Sequence, residues 1–302
     1  DEVNRRSKVD RWDVLLTMIG TVGEVCLVKD EPNFAIKNIG LFKSKNELFG
    51  KWLYYFLQSK KVKQVLDSLK RGTTQEYIPL GELRNLNISY PTNILEIQNI
   101  ISILSALDDK IENNHKINET LEEMSCAIFK SWFVDFDPVH AKAAGITPAY
   151  MDTETVNLFP SSFSDDGLPV GWNLLSLGEV TEKITKGTTP SKKDLNEAKT
   201  ELNTINFLKV NNISDDGYFN KKSFEKIPLS IHNNQLKRSI LEKDDVLYSI
   251  AGTIGRVIII ENSVLPSNTN QALAILRPKK KLCPAGYLSL ILKDDYFQTE
   301  LH

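Results

Sequence analysis

Lysine and hydroxyl side chains are concentrated in the nine residues from Thr185 to Lys193, which read TKGTTPSKK. The segment holds three lysines, four hydroxyls and one glycine, a combination that suits contacts with phosphate groups. It does not follow the pattern G-x-x-x-x-G-K-[ST] of nucleotide-binding loops. The alternative interpretation is an exposed polar loop without a ligand.

Amide side chains form a second group. Ser267 to Gln271 (SNTNQ) is the densest amide cluster in the chain and precedes an apolar segment, Ala272–Ile275. Such a run would be costly in a hydrophobic core, whereas in a DNA groove Asn and Gln hydrogen-bond to base edges. Asn211 and Asn212 follow a strand predicted over Phe207–Val210, although adjacent asparagines also cap turns.

A third group follows a helix predicted over Glu47–Leu69, whose inward residues include Val65 and whose far end is basic. The segment Arg71–Gln75 (RGTTQ) combines charge for phosphates with polar groups for base edges, while a solvated helix face is the alternative. Together with residues of two glycine turns and of neighbouring segments, the predicted DNA-binding residues are Thr21, Lys37, Asn38, Arg71, Thr73, Thr74, Gln75, Lys186, Thr188, Thr189, Ser191, Lys192, Lys193, Asn211, Asn212, Arg238, Thr253, Asn268, Asn270 and Gln271.

Residues for catalysis or metal binding do not fall into a known pattern. The four histidines occur in none of the spacings that ligate metals or activate nucleophiles. We find no nuclease motif with paired acids and no methyltransferase motif. The three cysteines are far apart without C-x-x-C spacing, which predicts free buried thiols rather than zinc. We therefore predict no catalytic residues, no metal and no cofactor bound to this chain.

Composition limits the remaining classes of protein. The formal net charge of −2 argues against a uniformly basic nucleic-acid binder but permits a basic face offset by acidic surface elsewhere. No window of about 18 apolar residues occurs and no signal peptide opens the chain, so neither a membrane nor export is indicated. A cytoplasmic location is expected.

The elements that must position these side chains are duplicated. Residues 6–28 and 238–260 align without a gap, and each contains D-V-L followed by G-T-x-G. The same offset places Asn38 on Asn270 and Leu41 on Leu273. Each copy predicts a strand, a tight glycine turn and a second strand, and the turn is either a plain hairpin or a DNA-contacting loop. An offset shared over more than thirty residues predicts one domain type used twice.

A long helix is predicted between the two copies. No glycine or proline interrupts Ile94 to Val134, and apolar residues recur at steps of three and four, as in a helix that packs lengthwise on another helix. About 36 helical residues would form a rod roughly 54 Å long, which is a spacer rather than a core helix. Trp132, Phe133 and Phe136 follow and should pack against the end of the helix or against a domain. Further strands are predicted at Phe34–Lys43 and Leu86–Ile88.

With these motifs the chain resembles the specificity (S) subunit of Type I restriction–modification systems. The resemblance is carried by the repeated D-V-L-x-x-x-x-G-T-x-G, the long helix, and FKSWFVDFDPV at residues 129–139. It is also carried by LFP, LPVGW and KGTTP at residues 158–160, 168–172 and 186–190. The resemblance implies two target-recognition domains, each reading one half of a split double-stranded DNA site.

The resemblance further implies a non-catalytic subunit that works with partners. Two modification (methyltransferase) subunits would bring S-adenosylmethionine, and restriction (translocase/endonuclease) subunits would bring ATP-dependent cleavage with Mg. The modification subunits would dock on the long helix, at Ile100, Leu104, Leu107, Ile111, Leu121 and Ile128.

The predicted fold class is α+β, with two similar α/β target-recognition domains joined by a long helix of the coiled-coil type. The predicted boundaries are 1–92 for the C-terminal part of the first domain, 93–135 for the spacer helix, 136–170 for a connector and 171–302 for the N-terminal part of the second domain. The first copy lacks a counterpart to residues 172–235, so a fragment of a longer subunit is expected. Two alternatives remain: a coiled-coil adaptor that does not contact DNA, and the specificity portion of a fused restriction–methylation enzyme.

Overall fold

The structure, a computed structural model, describes residues 7–44, 46–73, 75–198, 200–214 and 217–301. The chain forms two compact units, Asp1–Lys116 and Ile117–His302. Both units combine helices with β-sheets, and the predicted α+β class is confirmed. In the part of the chain that the structure describes, no helix is long and apolar enough to cross a membrane.

A three-stranded antiparallel sheet with helices on one face makes up the core of the first unit. Its strands are β1 (Val14–Thr17), β2 (Val25–Leu27) and β3 (Ile39–Phe42), in the order β2-β1-β3. The helices are α1 (Glu47–Gln58), α2 (Lys60–Ser68) and α3 (Leu80–Arg84). Leu53, Leu57, Val62 and Leu66 of α1 and α2 are buried with Val14 and Leu16 of β1.

Three local predictions in this unit were wrong. The single helix predicted over residues 47–69 is broken at Ser59, whose extended backbone ends α1 and whose hydroxyl accepts the Val62 N–H to begin α2. As a result Val65, predicted to face inward, is 39% exposed. The strand predicted at residues 86–88 is unpaired chain after α3, and only residues 39–42 of the predicted strand 34–43 join the sheet.

The predicted long helix is confirmed as α4 (Ile94–Phe129), which continues as a π-helical turn over Lys130–Val134. Its first part packs within the first unit, where Ile97 and Ile101 are buried. The Tyr55 hydroxyl hydrogen-bonds to Asp108 at 2.9 Å, and burial raises the pKa of Tyr55 to about 12, so this phenol stays protonated as a donor. Further along, Leu107, Ile111, Leu121 and Ile128 are 45–57% exposed.

Two sheets and their helices form the second unit. The strands are β4 (Thr181–Lys186), β5 (Thr204–Leu208), β6 (Glu225–Pro228), β7 (Val246–Ser249), β8 (Val257–Ile259), β9 (Ser267–Thr269) and β10 (Leu273–Pro278). The first sheet is antiparallel, in the order β4-β10-β7-β8, and the second has the order β6-β5-β9 with β5 parallel to β9. The helices are α5 (Asp137–Ala143), α6 (Thr153–Leu158), α7 (Leu177–Val180), α8 (Lys192–Glu197), α9 (Leu229–Asn233), α10 (Ala285–Lys293) and α11 (Asp295–Leu301).

The duplication predicted from sequence is present in the backbone. At the offset of 232 residues, β1 coincides with β7 and β2 with β8, residue for residue. The turn glycines match as well, with φ of +80° at Gly20 and +79° at Gly252, and +99° at Gly23 and +92° at Gly255. In both copies a hydroxyl at the end of the first strand, Thr17 or Ser249, donates to the carbonyl four residues on. The two copies therefore share the same backbone conformation over these two strands and the turn between them.

The third strand follows a different offset. Thr17 pairs with Ile39, whereas Ser249 pairs with Leu273, an offset of 234 rather than 232. The connection in the second copy is therefore two residues longer, and the alignment of Leu41 with Leu273 is corrected to Ile39 with Leu273. Lys43 then matches Arg277, and each of these cations pairs with a fully buried aspartate, Asp13 or Asp245.

The aromatic residues that follow α4 are packed, as predicted. Trp132 and Phe133 contact Phe159, and Phe133 also contacts Trp172 and Tyr287. Phe136 contacts Trp172 at a centroid distance of 5.4 Å. These rings join the end of α4, the connector and α10 within the second unit.

Candidate nucleic-acid interface

Three segments of the second unit lie at the same end of its four-stranded sheet, because of the directions in which the strands run. Ala274, near the start of β10, pairs with Lys186 at the end of β4 on one side and with Tyr248 near the end of β7 on the other. The segments that lie there are residues 186–189, 250–255 and 270–272, which we call the second polar edge. Because β5 runs parallel to β9, Asn211 just after β5 lies near the same end.

Direct contacts join two of these segments, which are about eighty residues apart in sequence. The Thr188 N–H donates to the Thr269 carbonyl at 3.1 Å, and the Thr189 hydroxyl donates to Gln271 Oε1 at 2.6 Å. A Cβ on Gly187 would lie 2.1 Å from the Thr269 carbonyl oxygen. Only glycine allows this close approach of two backbones. The lysine–hydroxyl segment and the end of the amide cluster therefore lie side by side, which the sequence did not predict.

Most predicted contacts at this edge, at Asn211 and in residues 191–193 are exposed. Exposed residues are Lys186, Thr188, Thr189, Ser191, Lys192, Lys193, Asn211, Thr253 and Gln271, while Asn270 is half-buried. Some are already engaged, since Asn270 Oδ1 accepts the Ala272 N–H at 3.2 Å and Ser191 caps α8 by accepting the Asp194 N–H at 3.1 Å. The Ser191 hydroxyl in turn donates to Asp194, and this hydrogen bond lowers the pKa of that carboxyl.

Ion pairs engage some of the lysines at and beside this edge. Lys193 lies 3.8 Å from Glu197, and Lys209 is paired with Glu225. Within the described part of the chain, no ion pair engages Lys186 or Lys192. These two ammonium groups are therefore the ones with charge available for a phosphate.

Two predicted contacts are corrected by their burial, and a third lies away from the second polar edge. Asn212 is 1% exposed, and its amide donates to the Ser223 carbonyl at 3.0 Å while Oδ1 accepts the Lys209 N–H. Asn268 is fully buried and its amide donates to the Leu236 carbonyl. Both asparagines satisfy buried backbone groups instead of facing a groove. Arg238 is exposed, but its carbonyl accepts a hydrogen bond from Lys183, toward the other end of β4.

Asn268 also contacts a buried histidine. Its amide nitrogen lies 3.3 Å from His232 Nδ1, and because an amide nitrogen only donates, Nδ1 must accept. His232 is 5% exposed, and burial lowers its pKa below the ordinary value of 6.5. The ring is therefore neutral, with its proton on Nε2.

The buried His232 predicts a loss of stability on acidification. The unfolded histidine takes up a proton near its ordinary pKa, while the folded one does so only at lower pH, so stability falls as pH drops from about 6.5 to the lowered pKa. The loss within this window approaches 1.4 kcal/mol per pH unit. Urea unfolding at neutral and acidic pH should show a smaller difference for His232→Gln than for the wild type. Equal differences would contradict this prediction.

A polar edge also forms in the first unit. The end of β1 meets residues 71–73 and 75–77, where Ile19 and Arg71 each form a β-bridge with Tyr77, and Gly20 donates its N–H to the Glu76 carbonyl. Since Ile39 pairs with Thr17, Lys37 and Asn38 lie at this end too. The first polar edge thus gathers Thr21, Lys37, Asn38, Arg71, Thr73 and Gln75, all exposed. Thr74 lies outside the described residues, and Arg71 is paired with Glu82 at 2.6 Å.

Arg256 supports the second polar edge and was not among the residues predicted from sequence. Its guanidinium donates to the carbonyls of Val210 and Ile213 at 3.2 and 2.5 Å. These bonds connect the turn after β7 to the 3-10 turn that carries Asn211. The available signal was the alignment itself, because Arg256 stands where the first copy has Glu24. Within the described ranges, no three side chains of metal-binding type come together.

Comparison with known proteins gives one family. A family description, "Type I restriction modification DNA specificity domain", matches residues 7–123 and 169–300. The HindI specificity subunit of Haemophilus influenzae is 28% identical over 333 aligned positions, covering 94% of this chain and 70% of that protein. The MjaIX specificity subunit of Methanocaldococcus jannaschii is 26% identical over 230 positions, covering 74% of this chain and 48% of that protein.

Solved structures of S subunits are also similar. The S subunit from M. genitalium is 18% identical with a TM-score of 0.43, covering 98% of this chain and 66% of that one. The HsdS subunit from Thermoanaerobacter tengcongensis is 19% identical with a TM-score of 0.33, covering 97% of this chain and 65% of that one. The chain thus spans about two thirds of the length of these solved structures.

Proposed function

The chain belongs to the family of Type I restriction modification DNA specificity domains, and we propose that it recognises a double-stranded DNA target in two halves, one per polar edge. The family is one of sequence-specific DNA recognition. The observation that carries the bipartite proposal is the duplication, because the same strand–turn–strand backbone presents a polar edge in each unit. Two copies of one DNA-binding unit are consistent with a target that has two half-sites.

Chemistry at the two edges supports different roles for their residues. Lysines such as Lys186 and Lys192 offer positive charge without a fixed partner and suit phosphates, which position a protein on DNA. Exposed amides and hydroxyls such as Gln271, Thr189 and Thr73 suit base edges, which carry the sequence information. We propose this division for both edges.

Catalysis is proposed to belong to partner subunits. In this proposal two modification subunits carry S-adenosylmethionine, restriction subunits carry ATP and Mg, and the chain itself holds no cofactor. The exposed apolar residues of α4, Leu107, Ile111, Leu121 and Ile128, support docking of the modification subunits there. Ile100 and Leu104, which are half-buried, complete the proposed docking stripe.

Because its proposed partners are DNA and DNA-modifying subunits, we propose a cytoplasmic location.

A pair of substitutions tests the proposed DNA contacts. Lys192→Ala is expected to weaken binding to every DNA sequence and to reduce the slope of log K against log salt by about 1, because one phosphate contact is lost. Asn270→Ala is expected to change the preferred second half-site while leaving the first unchanged. Binding is measured by gel shift with the cognate modification subunit at low and high salt, and the target is read by sequencing methylated DNA.

One control and a second amide variant complete this test. Lys281→Ala removes an exposed lysine beyond the other end of β10 and should leave the salt slope unchanged. Gln271→Ala is the second amide variant, because Gln271 is exposed and its Oε1 accepts from the Thr189 side chain, whereas Asn270 is half-buried and its Oδ1 accepts from the Ala272 backbone. An unchanged methylation motif in both amide variants would refute base reading at this edge.

A further inference from the structure

A pair of helices is repeated in the two units, in addition to the strands. α1 and α2 meet at Ser59, whose backbone is extended with φ −60° and ψ 144°. α10 and α11 meet at Asp294, which has nearly the same angles, φ −65° and ψ 137°. At this offset of 235 residues the buried Leu57 coincides with the buried Leu292. α2 and α11 are therefore counterparts whose residues can be compared position by position.

In the second unit, α11 lies against the turn that follows β7. Gln298 Nε2 donates to the Gly255 carbonyl at 3.3 Å, and Gln298 Oε1 accepts from the Tyr248 hydroxyl at 3.2 Å. A Cβ on Gly255 would lie only 2.5 Å from Gln298 Oε1. Since residues 250–255 belong to the second polar edge, this helix position stands directly beside the proposed DNA-binding surface.

In the first unit, the position of Gln298 is taken by a lysine. Lys63 is exposed, and within the described residues nothing lies within 4 Å of a Cβ built on Gly23, the counterpart of Gly255. α2 is still close to the turn, because Val22 packs against the apolar cluster that includes Val62 of α2. Lys63 therefore stands beside the turn between β1 and β2 without being bonded to it.

The charge at this place differs in sign between the two units. Lys60 precedes Lys63 by three residues and shares its helix face. Both lysines are exposed, and in the part of the chain that the structure describes no ion pair engages either of them. The matching residues of α11 are Asp295 and Gln298. The first unit thus presents two positive charges where the second presents one negative charge and an amide.

We propose that Lys60 and Lys63 of α2 bind the DNA backbone beside the first half-site, so that the first unit supplies more of the salt-dependent affinity than the second. This inference rests on the proposed function, because it takes the first polar edge to lie against a half-site. Ammonium groups without a partner in the protein neutralise phosphates and release counterions. At the matching place in the second unit, the carboxylate of Asp295 repels a phosphate and Gln298 is bonded to the turn.

The double variant Lys60→Gln/Lys63→Gln tests these contacts in the full chain bound to its cognate modification subunit. We expect the slope of log K against log salt to decrease by about 1.8, at about 0.9 per lost phosphate contact. The methylated motif should stay unchanged, because phosphate contacts carry no sequence information. The matched control is Lys243→Gln/Lys281→Gln. It removes the same charge from exposed lysines at the end of the four-stranded sheet away from the second polar edge, and its slope should equal that of the wild type.

Uncharged methylphosphonates, placed one at a time in the DNA backbone, locate the contacts. Those that flank the first half-site should weaken binding by the wild type and leave the double variant unaffected, whereas those that flank the second should weaken both proteins equally.

An unchanged salt slope in a double variant that still binds DNA overturns the inference and leaves the proposed function intact. Equal sensitivity of both proteins to the methylphosphonates beside the first half-site also overturns it. Weaker association of the double variant with the modification subunit in the absence of DNA overturns it as well, because the lysines would then contact a protein. If the wild-type complex does not bind DNA at all, the proposed function itself is refuted.

Discussion

Replacing Asp245 by alanine is expected to destabilise the protein by about 3–5 kcal/mol. Asp245 is fully buried and accepts hydrogen bonds from Arg277 Nε at 2.7 Å and Nη2 at 2.9 Å. It also accepts the Glu242 N–H at 2.8 Å. The hydrogen bonds from Arg277 raise the pKa of that guanidinium, which stays charged. Alanine would leave this charge, only 17% exposed, without its buried partner.

Urea unfolding of matched variants measures this loss. Arg277 also pairs with Glu242, whose side chain is 61% exposed, so Glu242→Gln is expected to cost less than about 1 kcal/mol. Asp13→Ala in the first unit should cost less than Asp245→Ala, because its partner Lys43 is 51% exposed and can be hydrated. If Glu242→Gln destabilised the protein as much as Asp245→Ala, burial would not be the source of the effect.

Features set by residues close together in sequence were predictable. The glycine turns follow from positive φ at Gly20, Gly23 and their counterparts, which is a local demand of the backbone. The long helix follows from an uninterrupted apolar spacing over residues 94–134. The glycine turns recur in both copies and the helical spacing extends over many residues. Neither prediction therefore depends on the identity of a single residue.

The candidate site was predictable only in part. Its residue types can be read from short segments of the sequence, whereas the burial of each side chain depends on contacts with residues far away in the sequence. The amide cluster 267–271 is recognisable from sequence, but parallel pairing of β9 with β5 buries its first three residues. Asn268 then satisfies the Leu236 carbonyl, a partner thirty-two residues away. No short pattern encodes such a partner, so the amides that serve the fold could not be separated from exposed ones such as Gln271.

Small connections account for the other errors. A two-residue difference in one loop shifts the third strand from offset 232 to 234, which an ungapped alignment cannot detect. Ser59 ends the first helix, because its hydroxyl accepts the Val62 N–H and so caps the start of the next helix. The contact between Gly187 and Thr269 joins segments whose proximity follows only from the order of strands in the sheet.

Phe133→Ala is expected to destabilise the protein by about 2–4 kcal/mol. The ring of Phe133 stacks on Trp172 at 6.0 Å and 28°, and meets Tyr287 edge-on at 5.3 Å and 84°. It also contacts Phe129 and Phe159. Burial raises the pKa of Tyr287, which therefore joins the cluster as a neutral ring. Because Phe133 is half-buried, its removal leaves a gap lined by side chains from four segments, and the expected loss is smaller than for a fully buried phenylalanine.

Leu158→Ala is the matched control, because Leu158 lies beside Phe159 in sequence but is 82% exposed. Its expected effect is within about 0.5 kcal/mol. Unfolding followed by tryptophan fluorescence is a direct measurement, since Trp132 and Trp172 both contact Phe133. The cluster ties residues 129–136 to Trp172 and to α10, so its loss should lower the unfolding midpoint and change the emission of the folded state together. A lower midpoint with unchanged emission would mean that the tryptophans do not depend on Phe133 for their packing.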